Sequence, residues 1–407
     1  MDAQRLEGRD RALAAAIAYG VMQNRMLLDH ILAQSSSIAI RDIEPKVLDI
    51  LRIGAYQILM LDRIPAAAAV DSAVELTKRS GCARASGFVN AVLRRAAAKE
   101  TPLPEGQDAE SLSLRWSHPL WLTQLYMQLL GAQEAAQLLQ ADNAPVPITL
   151  QTNTLRTDTQ TLLTKLTSAG LRCKKHPNIP DCILLDGGAV QRLPEFSDGD
   201  FYVQDAAAKM AVLAAGPQKG SRILDVCAAP GGKTFAAAIA SRGADIVACD
   251  LHENKLRRIA AGAERLGLCG VTLRAQDARE FVPAFEGRFD LVIADVPCSG
   301  LGVIRKKPDI RYKDPAQFDA LPAIQTEILR NVARYVRPGG TLLYSTCTIR
   351  PEENSDVCAG FLKEHPEFTY DDFVLPDGSA SSGGMLQLWP QRNGTDGFFS
   401  AKMRRWN

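Results

Sequence analysis

The chain reads as a multidomain protein in three parts: an all-α helical bundle, a small α+β segment, and an α/β domain built on a doubly wound sheet. Three observations predict this. The first ~140 residues carry apolar side chains at helical spacing and almost nothing strand-like. After residue 147 a short stretch mixes strand alternation with one helical run. From about residue 200, apolar strand-like runs alternate with helical ones, the pattern of a parallel sheet covered on both faces. A length of 407 residues suits two or three units of ~100–200 residues each. The boundaries are read at residues 1–140, 145–215 and 216–407.

Taken in order, residues 11–33, 45–61, 70–79 and 84–98 predict helices, punctuated by Pro45, Pro65 and Gly81. The Pro- and acid-rich stretch 101–110 predicts an exposed linker. A further amphipathic helix is expected from Pro119 to about Gln140, stopping before Ala144-Pro145-Val146-Pro147. Ile148 to Asn153 alternates as a strand, Thr157 to Gly170 as a helix, and Cys182 to Leu185 as a strand again. In the last part the expected strands are 222–227, 245–250, 271–276, 289–295 and 340–346, with helical stretches such as 252–266 between them.

Charge and composition narrow the function. Lys+Arg 47 against Asp+Glu 46 gives a net charge of +1, so any contact with nucleic acid must come from local patches. The start, MDAQRLEGRD, lacks the apolar core of a signal peptide, and no window approaches the ~20 apolar residues of a membrane span. The nine cysteines show no CxxC pair and the five histidines are scattered, which argues against a metal site and for reduced thiols. A cytoplasmic protein is expected.

The strongest local signal is Leu224-Asp225-Val226-Cys227-Ala228-Ala229-Pro230-Gly231-Gly232-Lys233-Thr234, a buried strand running through a small-residue turn into a helix. Glycine there lets backbone approach a ligand closely, and the helix start supplies free N–H donors. The stretch ends Gly-Lys-Thr, but a nucleotide-phosphate loop needs glycine where Cys227 stands, and the dinucleotide fingerprint G-x-G-x-x-G is absent as well. Spaced acids follow. Asp250 ends the second strand, where an acid can accept hydrogen bonds from ribose hydroxyls. Asp277 and Asp295 end the third and fourth, so with Asp225 four acids are expected at the carboxyl edge of the sheet. Two cysteines share that edge, Cys298 in Asp295-Val296-Pro297-Cys298-Ser299-Gly300 and Cys347 in Ser345-Thr346-Cys347-Thr348. A lone cysteine is most often an inert small hydrophobe, but two facing one cleft read as functional. Cys227 reads as packing close to the ligand and Cys249 and Cys269 as core, while Cys82, Cys173, Cys182 and Cys358 offer no partner.

These residues resemble a known family. DVCAAPGGKT, DVPCSG, Gly302-Val303-Ile304-Arg305-Lys306-Lys307-Pro308-Asp309, STCT and Asp396-Gly397-Phe398-Phe399 together look like the RNA 5-methylcytosine methyltransferases. Leu51-Arg52-Ile53-Gly54-Ala55-Tyr56-Gln57 and Gly87-Phe88-Val89-Asn90-Ala91-Val92-Leu93-Arg94-Arg95 resemble NusB-like RNA-binding domains. That pairing is similar to the subgroup acting on small-subunit (16S) rRNA, and the likeness covers nearly the whole chain. It implies a NusB-like bundle, an RRM-like α+β segment, and a Rossmann-like class I domain dependent on S-adenosylmethionine. One departure is that Gln204-Asp205-Ala206-Ala207-Ala208 has no serine where many members carry one.

By the resemblance, Cys347 is the nucleophile that adds to C6 of cytosine, Asp295 bonds the base at N3, and Cys298 assists product release. DNA cytosine methyltransferases use the Pro-Cys cysteine instead, and spacing alone does not choose between the two. The cofactor is assigned to Cys227, Ala228, Ala229, Pro230, Gly231, Gly232 and Lys233, with Asp250, Asp277 and Asp295. Arg305, Lys306 and Lys307 form a basic run suited to phosphates flanking the target base; Arg94-Arg95 and Arg404-Arg405 are weaker candidates. The expected partner is small-subunit rRNA, bound by a monomer with no membrane and no metal. The same chemistry on tRNA or large-subunit rRNA is the first alternative, and a non-enzymatic RNA-binding or antitermination factor the second.

Overall fold

A computed structural model of the chain describes residues 8–98 and 101–406. The stretch 1–7, part of the opening MDAQRLEGRD, lies outside the described residues. The chain forms two compact units. One runs to Ala144 and takes in Lys307–Lys313; the other is Pro145–Lys306 with the chain from Asp314 onward.

The first unit is helical: α1 (Gly8–Gln23), α2 (Arg25–Ser35), α3 (Pro45–Met60), α4 (Ala66–Arg79), α5 (Ser86–Ala98), α6 (Ala109–Trp116), α7 (Leu120–Leu130) and α8 (Ala132–Asn143). Its core is an aliphatic cluster around Leu28, Leu32, Leu51, Val70, Val89 and Leu93. The run expected as one helix over 11–33 is two, because Asn24 turns its side-chain amide onto the Gly20 carbonyl (2.9 Å) and ends the first. The helix expected from Pro119 likewise splits, at Gly131. The exposed linker ends at Asp108, whose carboxylate caps α6 through the Ser111 amide.

The short excursion Lys307–Lys313 carries Arg311 into this unit. Its side chain is fully buried, and Nη1 donates to the Gln23 carbonyl (3.0 Å), the Ser117 carbonyl (3.1 Å) and Asn143 Oδ1 (3.1 Å). In the same cluster Tyr126 donates to Asp142 Oδ2 (2.8 Å), and His118 Nε2 lies 3.6 Å from the same oxygen.

The second unit holds two sheets. The smaller is built by β1 (Ile148–Thr152), α9 (Thr159–Ser168), β2 (Cys173–Lys175), β3 (Cys182–Leu185), α10 (Pro194–Ser197) and β4 (Phe201–Val203). Its order, β2-β3-β1-β4, and its antiparallel pairing are those of a split βαβ sheet. The three-residue strands β2 and β4 are too short for alternation to announce them.

The larger sheet follows: α11 (Ala206–Ala215), β5 (Arg222–Asp225), α12 (Gly232–Ser241), β6 (Asp245–Asp250), α13 (Glu253–Leu266), β7 (Val271–Ala275), β8 (Phe289–Asp295), α14 (Leu321–Ala333), β9 (Val336–Thr346), α15 (Ser355–Glu364), β10 (Phe368–Tyr370), β11 (Met385–Leu388), α16 (Pro390–Asn393) and β12 (Phe398–Arg405). The strand order is β10-β12-β9-β8-β5-β6-β7, with β11 paired to β12. Strands β5 to β9 are parallel, as their near-continuous apolar runs require. The far edge is antiparallel, so the all-parallel sheet expected from the sequence is a mixed one. Side chains stitch the two sheets into one unit. Asn153 and Arg156 both donate to the Leu266 carbonyl (2.9 and 3.1 Å), and Arg265 donates to the Phe201 carbonyl (3.0 Å).

Candidate active site

Strands β5, β6 and β8 end in Asp225, Asp250 and Asp295, and Asp277 stands two residues past β7, so all four acids lie at the carboxyl edge. They are not equivalent. Asp225 is fully buried; Thr234 donates to its Oδ2 (2.7 Å), while Oδ1 has no partner. Burial pushes its carboxyl up to about 7, helped by the neighbouring charge of Asp295. Asp250 accepts from the Ala229 amide (3.2 Å) and the His252 amide (3.1 Å), which ties the end of β6 to the glycine-rich turn. Asp277 is gripped by Arg279 and held below the usual carboxylate range chiefly by that hydrogen bond.

Asp295 is the hub. Its Oδ2 meets Lys233 Nζ at 2.6 Å and its Oδ1 accepts from Ser345 Oγ at 2.9 Å. Lys233, in the first turn of α12, also lies 4.9 Å from the Phe398 ring centroid. The sulfurs of Cys298 and Cys347 are 3.4 Å apart. The Cys298 thiol is held well above its usual range, first by its hydrogen bond to the Cys347 sulfur and then by burial. Burial likewise raises the Cys227 thiol, which suits packing and not nucleophilic attack.

Residues that sequence reasoning did not single out hold these loops. Buried Glu353 accepts from the Ser299 amide (2.8 Å) and from Gln325 (3.0 Å), and Ser299 and Thr348 share a 2.7 Å hydroxyl contact. The signal available was the acid pair in Pro351-Glu352-Glu353-Asn354, which otherwise reads as a solvated helix start. Gly302 donates to the Cys347 carbonyl (2.9 Å), and a Cβ there would lie 1.9 Å from the Gly397 carbonyl oxygen, so only glycine fits. This contact brings DVPCSG-GV, STCT and DGFF together from three separate stretches of sequence.

The basic run is spent differently from what was expected. Arg305 is 8% exposed and bonds Asp396 (2.7 Å) and Asp205 (3.3 Å); Lys306 joins the same two carboxylates at 2.8 and 2.6 Å. Burial opposes the charge on Asp205, but Lys306 and Arg305 outweigh it and hold that carboxyl down; Asp396 is pushed up by burial and by Asp205. Lys307 is the exposed member of the run. Cys269, read as core, is exposed, because the turn at Gly270 lifts it off the sheet before β7 begins.

A cavity of about 770 Å³ opens beside this cluster. Asp225, Lys233, Asp295 and the turn from Cys227 to Gly232, apart from Gly231, line one end. Asp277 instead lines a separate slot with Cys249 and Gln276. The residues fit a cationic ligand that carries a ribose: an unpartnered buried carboxylate oxygen at Asp225, the strand-end acid Asp250, and a close backbone turn. Among the described residues no group of His, Cys, Asp or Glu could hold a metal ion, and no helix is long and apolar enough to cross a membrane.

Comparison with known proteins agrees with this geometry. The family profile for 16S rRNA methyltransferase RsmB/F matches residues 211–404, the NusB family profile residues 1–98, and a ferredoxin-like domain of RsmF/B-like methyltransferases residues 118–191. A probable ribosomal RNA small subunit methyltransferase B of Bacillus subtilis is 34% identical, covering 98% of this chain and 92% of its own length. The ribosomal RNA small subunit methyltransferase B of Salmonella arizonae is also 34% identical, with the same coverage. Among solved structures, one described as PH0851 matches with a TM-score of 0.82 at 25% identity, covering 99% of this chain and 92% of that one. A methyltransferase homolog from Pyrococcus horikoshii matches with a TM-score of 0.62 at 28% identity, covering 73% of this chain and 98% of its own.

Strand order, glycine-rich turn and strand-end acids define a class I methyltransferase that uses S-adenosylmethionine. Within that class, the chain belongs to the ribosomal RNA small subunit methyltransferase B family.

Proposed function

We propose that this chain methylates C5 of a cytosine in 16S rRNA through a covalent bond between Cys347 and C6 of the base. The observation that carries the reading is the 3.4 Å pair of Cys298 and Cys347 beside an aspartate, Asp295, fixed by Lys233 and Ser345. S-adenosylmethionine supplies an electrophilic methyl group, and the turn from Cys227 to Lys233 with Asp250, Asp277 and Asp295 would hold it.

Cytosine C5 is a weak nucleophile until the Cys347 thiolate adds to C6 and drives an electron pair toward C5. Asp295, through a proton shared with Lys233, donates to N3 of the base and so offsets the negative charge that develops there. Once C5 has taken the methyl group, a base takes its proton, the C–H electron pair returns to the ring, and the C6–S bond breaks with its pair leaving on Cys347. The 3.4 Å separation of the two sulfurs supports the assignment of Cys298 as the helper in that release. The target base must be unstacked, because C6 is attacked through the face of the ring.

In this reading Lys307 meets phosphate, while Arg305 and Lys306 act by holding Asp205 and Asp396, and so the loop after Cys298, in place. The NusB-like unit grips rRNA, and the enzyme works as a cytoplasmic monomer. One gel with labelled RNA tests the chemistry. Cys347→Ala is expected to be inactive and never to cross-link, whereas Cys298→Ala accumulates a protein–RNA adduct that survives denaturation and disappears in the double variant. An adduct in Cys347→Ala would overturn the assignment. Bisulfite mapping of rRNA from a deletion strain checks the substrate: loss of a modified cytosine is expected in 16S rRNA and nowhere else.

A further inference from the structure

The cavity beside the reacting groups runs well past them. Its far arm is lined by one face of α13: Arg258, Ala261, Gly262 and Arg265 stand at the i, i+3, i+4, i+7 spacing that puts side chains on one stripe. We propose that this arm is a subsite for the RNA nucleotide next to the target cytosine, held through its phosphate by Arg258 and Arg265. The inference rests on the RNA reading above.

Charge along the cavity carries the argument. On the side of the strand ends the cavity presents Asp225 and Asp295; on the side of α13 it presents two arginines. Among the described residues no carboxylate pairs with Arg258 or Arg265. Arg265 is fixed by the Phe201 carbonyl (3.0 Å) and lies 3.8 Å from the Phe196 ring centroid. Arg156 adds a further positive charge close enough to help burial lower its pKa. Cations crowded together without an acid are suited to an anion, and a phosphodiester is the anion an RNA substrate brings.

Shape agrees with charge. Gly262 sits inside a helix, where glycine is unfavourable relative to alanine, and a Cβ there would lie 2.5 Å from the Phe235 ring. With Ala261 it keeps the wall of the arm low. Phe235 packs edge-on against Tyr202 with centroids 5.9 Å apart, giving the arm an aromatic side. Gln204 Oε1 lines the same cavity, buried and without a hydrogen-bond partner, which is an acceptor left open for a base amino group.

The test uses the full chain. Arg258 and Ala261 are exposed on α13, so Arg258→Ala and Ala261→Trp are expected to fold with unchanged melting temperature. Arg258→Ala should weaken RNA binding roughly tenfold and lower the slope of log affinity against log salt by about one. Ala261→Trp, which fills the arm, should weaken it further. Neither should change S-adenosylmethionine affinity. An oligonucleotide with a neutral methylphosphonate beside the target cytosine should bind wild type as weakly as Arg258→Ala binds normal RNA, and the variant should ignore the change. Unchanged RNA affinity and salt slope in both variants, with wild type active, would overturn the subsite alone. Reduced cofactor affinity in Ala261→Trp would give the arm to the cofactor and overturn it too. A wild-type protein that methylates no rRNA would remove the RNA reading itself, and the subsite with it.

Discussion

Two buried groups of charge in this molecule look alike on chemical grounds and differ in one physical respect. In the helical unit, Arg311 is fully buried with Asp142, Tyr126 and His118 around it, and burial drives His118 down to about 4. In the catalytic unit, Lys233 and Asp295 meet at 2.6 Å beside Asp225, which burial drives up to about 7. Both contain close pairs and displaced titrations. The second faces a cavity of about 770 Å³, whereas Arg311, Tyr126, His118 and Asp142 of the first are each at most 1% exposed. Displaced pKa values mark functional sites because sites are buried and charged, yet structural networks meet the same two conditions. Access to a ligand separates them.

Removing a charge from each cluster should therefore be read on different instruments. Arg311→Ala takes the cation from a sealed group and leaves the Asp142 carboxylate buried, a loss that typically costs about 3–5 kcal/mol. Chemical denaturation should show that drop. A cost below about 1 kcal/mol would mean that the cluster is hydrated. Lys233→Met should behave in the opposite way. Asp295 keeps Ser345 and is 31% exposed, so stability should change by less than about 1 kcal/mol. Turnover should fall roughly 10²–10³-fold, the range for losing one preorganised electrostatic partner. Equal losses of stability in the two variants would erase the contrast.

The comparison also shows what the sequence could convey. The glycine-rich turn, the strand-end acids and the two cysteines were legible because each is local: a strand, a turn and a few residues in register. Arg311, in Arg305-Lys306-Lys307-Pro308-Asp309-Ile310-Arg311, was not, since nothing local marks one cation of a basic run as buried among helices almost 200 residues earlier in the chain. The ion pairs of Arg305 and Lys306 were hidden for the same reason. Their partners, Asp205 and Asp396, lie about 100 residues away on either side, and a basic run with no nearby acid looks solvated. The antiparallel edge was missed because β12 ends in Lys402-Met403-Arg404-Arg405, whose polar positions mask a strand that is mostly buried. Long-range pairing, and not propensity, decided each of these.

His118 sharpens the contrast from the sealed side. Its Nδ1 lies 2.7 Å from the Trp116 carbonyl, so it carries the ring proton, and burial with the nearby Arg311 charge opposes a second. A histidine neutral in the fold but charged in the unfolded chain adds stability above the unfolded pKa of ~6.5 and loses it as pH falls toward about 4. Unfolding free energy should thus decline by up to roughly 3 kcal/mol across that window. His118→Gln should flatten the decline. An unchanged slope in that variant would assign the acid sensitivity elsewhere.

Asp225 provides the smallest and most specific effect, because it titrates inside the site that a ligand enters. Its carboxyl is pushed up to about 7 by burial, its Oδ1 has no partner, and it lines the cavity. A cationic cofactor arriving nearby favours the ionised form, so binding below pH 7 must expel a proton. Affinity for S-adenosylmethionine should then rise up to tenfold per pH unit from pH 5.5 to about 7 and stay level above it. The sign is opposite to that of folding: a carboxyl raised in the native state adds stability below the unfolded value of ~3.9 and loses it as pH climbs to about 7. Calorimetry of cofactor binding from pH 5.5 to 8.5 reads the first trend, and denaturation over the lower part of that range reads the second. Asp225→Asn, which keeps the shape and removes the titration, should flatten both. If cofactor affinity in wild type is level across this range, Asp225 serves only the fold, and the two clusters differ less than their cavities suggest.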